Sequence, residues 1–362
     1  MDATPTAGPE RAAPARAPLR IGRATVVRCV AIAAFLAIAL FVLPTIGADW
    51  TTTFTSVAIY SIITLGLGIL CGRVGLISLG QVALLVVGVW TATRLHFATD
   101  LPFPVLLLVT AFATCLVGVL IGLPAIRLGG LHLALITLMA AGAVNIVVVA
   151  INFPNGGGGF TGRTDTPDLS GLEAVRRPGI GQGDTAYYRY VVVVAALMFL
   201  VALLHVRGKP GRAWAAIRES EPAALAAGVN TVFYKLWAFA LAAFMAGVAG
   251  CLLAAQVGQP TIQSFQTQDS LTLLAVTLIG GIYSLWGAVI AGAFSQLLPF
   301  VFQAQWGVNP NFLLIIFGAG LIQVLLTAPG GLADQVPKDL AKLGRLLARP
   351  FRRASSSTEG SS

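Results

Sequence analysis

The residues of this chain that could do chemistry are a few polar side chains inside long apolar segments. They carry hydroxyl or amide groups, which can hydrogen-bond a small polar solute: Ser78, Gln81, Thr137 and Asn145. Apart from positions near their ends, these segments contain no Asp, Glu, Lys or Arg. The same polar residue types also link helices inside membranes. The pattern therefore indicates either a solute pathway or helix-linking contacts, and it leaves both open.

Groups that would drive a reaction or an active transport cycle are missing from the sequence. Carriers driven by protons or sodium usually need ionisable groups inside the membrane. The Gly208-Lys209 pair is followed by Pro210 and lacks the upstream glycine of a P-loop. Histidines stand at or near segment ends, and the four cysteines stand singly without metal-ligand spacing. We therefore expect no enzyme, no catalytic residue, no metal and no cofactor, so energy for active transport would come from another subunit.

Composition places the chain in membrane lipid. Of its 362 residues, 57% are hydrophobic and 10% are charged, and the mean hydropathy is +0.85. Segments that could cross about 30 Å of hydrocarbon recur along the chain. They lie at 26–43, 54–71, 74–95, 103–126, 131–153, 187–206, 236–257, 285–302 and 312–326. The expected fold class is all-α, a polytopic transmembrane helical bundle.

A short apolar block at residues 271–282 complicates the count of spans. Its twelve residues rise only about 18 Å as a helix, well below the thickness of the bilayer core. The block is predicted to be a half-length helix or one arm of a re-entrant pair, which gives about ten spans, or eight plus a re-entrant pair. A weak likeness between residues 75–88 and 281–294 fits a possible inverted 5+5 repeat. Glycine-rich membrane helices also resemble one another without any repeat.

Basic residues predict the orientation of the chain. Counting loops from a cytoplasmic N-terminus places 18 of the 23 Lys and Arg residues on one side. This bias predicts a multi-pass protein of the plasma or inner membrane with both termini in the cytoplasm. The formal charge of +9 thus reflects topology and implies no nucleic-acid partner. We expect a basic tail at 1–25, a transmembrane domain at 26–332 and a basic, Ser-rich tail at 333–362.

The longest predicted cytoplasmic loop, residues 207–234, is a candidate socket for a motor subunit. A short amphipathic helix is expected over residues 212–227, ended by Gly228. Its apolar contacts would be Trp214, Ile217 and Leu225. An interfacial helix lying on the bilayer would have the same pattern and stays an alternative.

Charged and helix-breaking residues of this loop are the candidate contacts with the motor. Acidic and basic side chains lie at helical spacing on the predicted helix, and glycines bound it. The candidate coupling residues are Gly211, Arg212, Arg218, Glu219, Glu221 and Gly228.

Several stretches resemble one family in their order along the chain. The segment GRAWAAIRESEPAALAAGVNTVFYKLWAFALAAFMAGVAG, at 211–250, resembles the cytoplasmic coupling segment of the branched-chain amino-acid ABC transporter permeases, the LivM type in particular. Further stretches similar to that family are GRVGLISLGQVALLVVGVW, LPAIRLGGLHLALITL, NGGGGFTG, LIGGIYSLWGAVIAGA and TAPGGL. The likeness covers roughly residues 54–332. It implies that the transmembrane domain is a permease domain.

The resemblance also implies how the coupling loop works. It adds Ala223 and Ala224 to the coupling residues, because they match the Glu-Ala-Ala pattern of the family. Pro222 stands where that pattern has its acid, and Glu221 lies one position earlier. The contacts with the motor are therefore defined only to within a residue.

The resemblance further implies the partners and the solute. It implies two cytoplasmic ABC ATPase subunits, a second related permease subunit and an extracytoplasmic solute-binding protein that delivers a small amino acid. The glycine-rich external loop at 152–186 could receive that binding protein or be a plain connector. A permease for another small solute such as urea, an amide or a sugar, or an ATP-independent facilitator or channel, stays an alternative.

Overall fold

The computed structural model of the chain describes residues 34–99, 101–126, 130–150, 175–178, 183–258, 269–307, 311–327, 331–333 and 335. All regular secondary structure in these ranges is helical, so the predicted all-α class is confirmed there. In chain order the helices are α1 Ala34–Thr45, α2 Ala48–Gly68, α3 Gln81–Ala98, α4 Phe103–Ala125, α5 Leu131–Ala150, α6 Asp184–Arg207, α7 Lys209–Glu219, α8 Glu221–Ala226, α9 Thr231–Val257, α10 Asp269–Gly280, α11 Leu285–Trp306 and α12 Asn311–Thr327. The predicted tails and most of the predicted 152–186 loop lie outside the described residues.

Six of the described helices are long and apolar enough to cross a membrane. They occupy Ala48–Val74, Gln81–Ala98, Phe103–Pro124, Asp184–Arg207, Thr231–Val257 and Leu285–Ala304. The chain is therefore a multi-pass membrane protein, while the count of about ten spans stays a prediction. The short block is a twelve-residue helix, α10, as expected for a half-length helix.

Helix α9 forms the centre of the bundle and packs against α2, α3 and α4. Its buried face is rich in alanine and glycine, which let helix backbones approach closely. A Cβ on Gly250 would lie 2.7 Å from the carbonyl oxygen of Leu85, and one on Gly247 would lie 2.8 Å from the Cα of Ala111. Small residues thus bring α3 and α4 against α9.

Helices α2 and α11 form a second close pair. The Thr64 hydroxyl donates a hydrogen bond to the Ala288 carbonyl at 2.9 Å, and a Cβ on Gly292 would meet Ser61. Corresponding helices in the two halves of the chain make similar pairs. Helix α4 packs on α9 as α11 packs on α2, and α3 contacts α4 and α5 as α10 contacts α11 and α12.

The predicted span at 74–95 is wrong at its start. Helix α2 continues through a π-helical turn, Ile69–Val74, and the chain is then non-helical at 75–80 before α3 begins. Gly75 has φ of 82°, a left-handed conformation that glycine adopts without steric cost. Apolar composition runs through this break, so the hydropathy pattern could not reveal it.

Gly250 provides a test of the α3–α9 packing. Gly250→Ala is expected to destabilise the folded chain by about 1–3 kcal/mol, because the added methyl group meets backbone atoms that cannot yield. The midpoint of thermal unfolding in detergent measures the change. Gly142→Ala is the matched control, since a Cβ there meets nothing within 4 Å. Equal midpoints for the two variants would contradict this packing.

Candidate functional site

The predicted coupling loop turns sharply out of α6 into α7. A Cβ on Gly211 would lie 1.9 Å from the carbonyl oxygen of Val206. No other residue type fits this close approach of the two helices. Gly211 therefore sets the angle at which α7 leaves the bundle, and its role is in the backbone geometry.

The expected single helix at 212–227 is in fact two helices. Ser220 is extended, with φ of −161° and ψ of 113°, and separates α7 from α8. Its hydroxyl accepts a hydrogen bond from the backbone N–H of Ala223 at 3.4 Å, which caps the N-terminus of α8. Serine favours such caps over helix interiors, and this preference was the signal for the break.

Gly228 ends α8, as the sequence predicted. Its φ is 80°, and its N–H donates to the Leu225 carbonyl while the Val229 N–H donates to the Ala224 carbonyl, both at 2.9 Å. This pair of bonds is the Schellman arrangement, which needs a left-handed residue at this position. Gly228 thus fixes the path from α8 into α9.

One face of the coupling helices is anchored in the bundle. Trp214 is fully buried, and its indole N–H donates to the Tyr234 carbonyl at 2.9 Å. Ile217 and Ala224 are buried as well. Leu225, expected to be an apolar contact, is instead 54% exposed. Leu225 therefore lies on the opposite, open face of these helices.

Arg218 reaches from α7 to two other elements. Its Nη1 donates to the Gly72 carbonyl at 2.7 Å, and its guanidinium lies 4.4 Å from the centre of the Tyr283 ring. Arg73 donates from Nη2 to the Tyr283 carbonyl at 2.8 Å. These residues link α7, the π-helical turn and the α10–α11 turn. Tyr283 was missed, because its partners lie far away in the sequence.

The acids expected to pair along the coupling helix behave differently from each other. Glu221 forms an ion pair with Lys235 of α9 at 2.5 Å, and the Lys235 side chain is 8% exposed against 45% for Glu221. Arg212 and Glu219 are exposed. The open face of α7 and α8 thus carries Arg212, Glu219, Glu221, Ala223, Leu225 and Gly228, whereas the predicted contact Ala224 is buried.

Three of the four predicted pathway residues come together where the chain is non-helical. The Leu79 N–H donates to the Thr137 hydroxyl at 2.9 Å, and that hydroxyl donates to the Ala134 carbonyl at 3.0 Å. The Ser78 hydroxyl accepts from the Gly80 N–H at 3.4 Å. Thr137 and Ser78 thus satisfy backbone that has left the helix. Both are buried.

Gln81 lies where α2, α3 and α9 meet. Its Nε2 donates to the Ala242 carbonyl at 3.0 Å, eleven residues into α9 and so about 16 Å from its start. Gln81 is 1% exposed, and its Oε1 has no hydrogen-bond partner within the described part of the chain. An unmet buried acceptor is costly, so Oε1 is suited to receive a donor from a solute.

Asn145 does not join this cluster. It is half-buried on α5, eight residues beyond Thr137 and so about 12 Å along the helix. Among the described residues, no group of three His, Cys, Asp or Glu side chains could hold a metal ion. The described site therefore has two parts. One is a buried polar cluster beside the non-helical segment 75–80, and the other is the surface helix pair α7–α8, which is anchored by Trp214.

Comparison with known proteins identifies the family. Residues 50–325 match the family described as the permease component of branched-chain amino acid transport systems. The chain is 30% identical over 294 residues to the high-affinity branched-chain amino acid transport system permease protein LivM of Salmonella typhimurium and 29% identical over 294 residues to LivM of Escherichia coli. Each alignment covers 77% of this chain and 68% of the relative. No solved structure matches significantly. The chain belongs to the family of branched-chain amino acid transport permeases.

Proposed function

We propose that this chain is the transmembrane permease subunit of an ATP-driven ABC importer for branched-chain or related small amino acids. The observation that carries the proposal is the family match over residues 50–325. The anchored helices α7 and α8, with their open outer face, support it from the structure. The chain forms the translocation pathway and has no ATPase site of its own.

The importer contains four further components. Two cytoplasmic ATPase subunits supply energy, a second related permease completes the pathway and an extracytoplasmic binding protein delivers the amino acid. The exposed row on α7 and α8 supports an ATPase contact, because a helix lying on lipid would direct apolar residues outward. Here Arg212, Glu219 and Ala223 are exposed beside Leu225. Such a mixed surface suits a protein partner.

The topology follows from this role. Both termini and the α7–α8 pair lie in the cytoplasm, and the chain crosses the plasma or inner membrane about ten times. The mirrored helix pairs support an inverted repeat of α1–α5 and α6, α9–α12. In such a repeat, interrupted helices begin near mid-membrane and bound the solute pathway. Helices α3 and α10 hold corresponding positions in the two halves.

Force from the ATPases passes through Arg218. When the ATPases close on ATP, they push the open face of α7 and α8. The bond between Arg218 and the Gly72 carbonyl carries this movement to the end of α2 and so to the non-helical segment 75–80. Because that segment positions Ser78 and Gln81, the pathway changes shape when α7 moves. Thr137 and Asn145 line the same pathway from α5.

Reconstitution of the importer in proteoliposomes tests the proposed function. The assembled complex is expected to take up a branched-chain amino acid only when ATP and the loaded binding protein are both present. The chain alone is expected to conduct none. Steady solute flux through the chain alone would contradict the proposal and identify a facilitator.

Gly228→Val is expected to abolish solute-stimulated ATP hydrolysis while leaving membrane insertion intact. A β-branched residue cannot readily adopt φ of 80°, so α8 loses its end geometry and the open face no longer fits the ATPase. ATP hydrolysis by the assembled complex is the measurement. Gly183→Val is the matched control, because Gly183 also has positive φ and open space but lies outside the loop. Unchanged stimulation in Gly228→Val would reject the coupling assignment.

Arg218→Ala is expected to separate hydrolysis from transport. The substitution removes the bond that ties α7 to the end of α2, so more ATP should be consumed for each solute transported, by severalfold. Parallel measurements of uptake and hydrolysis give this ratio. Arg207→Ala, at the exposed end of α6, is the control. A wild-type ratio of ATP to solute in Arg218→Ala would show that Arg218 does not couple α7 to the pathway.

A further inference from the structure

Helix α10 places a carboxylate at about the depth of the bilayer centre. Its last residues lead into the 281–284 turn, which Arg73 and Arg218 hold at the α7 end of the molecule. Twelve residues of helix rise about 18 Å, so Asp269, the first residue of α10, lies near the middle of a hydrocarbon core about 30 Å thick. Asp269 is exposed. Because α10 is only half as long as the core is thick, its N-terminus does not reach the far membrane surface.

Residues on the neighbouring helices α2 and α11 lie at the same depth as Asp269. Gln296 is eleven residues along α11, which runs beside α10, and so lies about 16 Å from the same turn. Helix α2 packs closely on α11 around Ser61 and Gly292, one turn from Gln296, and Tyr60 of α2 lies near both Gln296 and Asp269. Three helices therefore bring a carboxylate, a phenol and an amide together at one level.

Ser270 adds an unused polar group. Its side chain is buried, at 2% exposure, and its hydroxyl has no hydrogen-bond partner in the ranges that the structure describes. A buried hydroxyl without a partner costs free energy. A ligand that donates hydrogen bonds would remove this cost.

A position in the first turn of α10 does not by itself account for a charge at Asp269. The interaction of such an acid with the helix dipole is favourable but weak. A charged side chain near the bilayer centre costs more free energy than this interaction returns. This cost is consistent with a ligand-binding role, and a carboxylate near a phenol and an amide suits a primary ammonium group.

We propose that Asp269, with Tyr60, Ser270 and Gln296, binds the ammonium group of the transported amino acid partway along the pathway. This inference rests on the proposed import of amino acids and adds a residue-level reason for that substrate class. A zwitterion loses the hydration of its ammonium group on entering the membrane. Asp269 compensates for that loss, while the aliphatic side chain needs no polar partner.

The test uses the complete importer in proteoliposomes with leucine as solute. Asp269→Asn keeps the size of the side chain and removes the charge, so it is expected to lower ATP-driven uptake at least about tenfold, equivalent to about 1.4 kcal/mol. Hydrolysis stimulated by the loaded binding protein should persist, because the coupling helices are unchanged. Asp269→Glu should keep most of the uptake. Asp49→Asn, at an exposed acid in the first turn of α2, is the control.

Tyr60→Phe supplies a second variant that keeps the ring and its packing. It is expected to lower uptake severalfold with hydrolysis retained. Wild-type uptake by Asp269→Asn, or equal losses in Asp269→Asn and Asp269→Glu, would overturn the ammonium site while leaving the importer assignment standing. Absence of ATP-driven leucine uptake by the wild-type complex would instead overturn the proposed function, and the site with it.

Discussion

Hydrocarbon offers no hydrogen-bond partner to a polypeptide backbone, and this constraint governs the whole bundle. The helices satisfy their own amides, but the chain at 75–80 cannot. There the Leu76 N–H donates to the Leu70 carbonyl at 3.0 Å, the Leu79 N–H donates to Thr137, and Arg218 donates to the Gly72 carbonyl. A helix interruption thus persists because other elements supply its missing partners. Any movement of those elements acts directly on the interruption.

Close packing around α9 makes this arrangement stiff. Gly66 approaches Ala242 so closely that a Cβ would lie 3.2 Å from its Cα and from Gln81 Nε2. The Gln81 amide is therefore held between α2 and α9 at the first residue of α3. Because interiors packed at this density do not deform continuously, the bundle is expected to shift as whole helices. That behaviour suits a pathway that opens alternately to either side.

The sequence predicted the elements whose cause is local and missed those whose cause is tertiary. The length of the apolar segments was enough to predict the long helices and the half-length α10. A glycine at position 228 was enough to predict the end of α8. The helix break before Gln81 was not predicted, because Thr137 and Arg218, which hydrogen-bond its backbone, come from distant parts of the chain. Tyr283 and Asp269 were not predicted as site residues for a similar reason. The roles proposed for these two residues depend on their depth and their neighbours, which hydropathy does not encode.

Helix α10 connects the proposed coupling helices with the proposed ammonium site. Its C-terminal turn carries Tyr283, on which Arg218 of the coupling helix stacks, and its N-terminus carries Asp269. Gly280 and Gly287 hold this helix against α11 so tightly that a Cβ on Gly280 would lie 2.4 Å from the Gly287 carbonyl oxygen. A short helix packed in this way moves as a rigid body. In the proposed importer, a push on α7 would therefore displace the carboxylate, which lies about 18 Å away. The stroke that opens the pathway would then also weaken the proposed hold on the ammonium group.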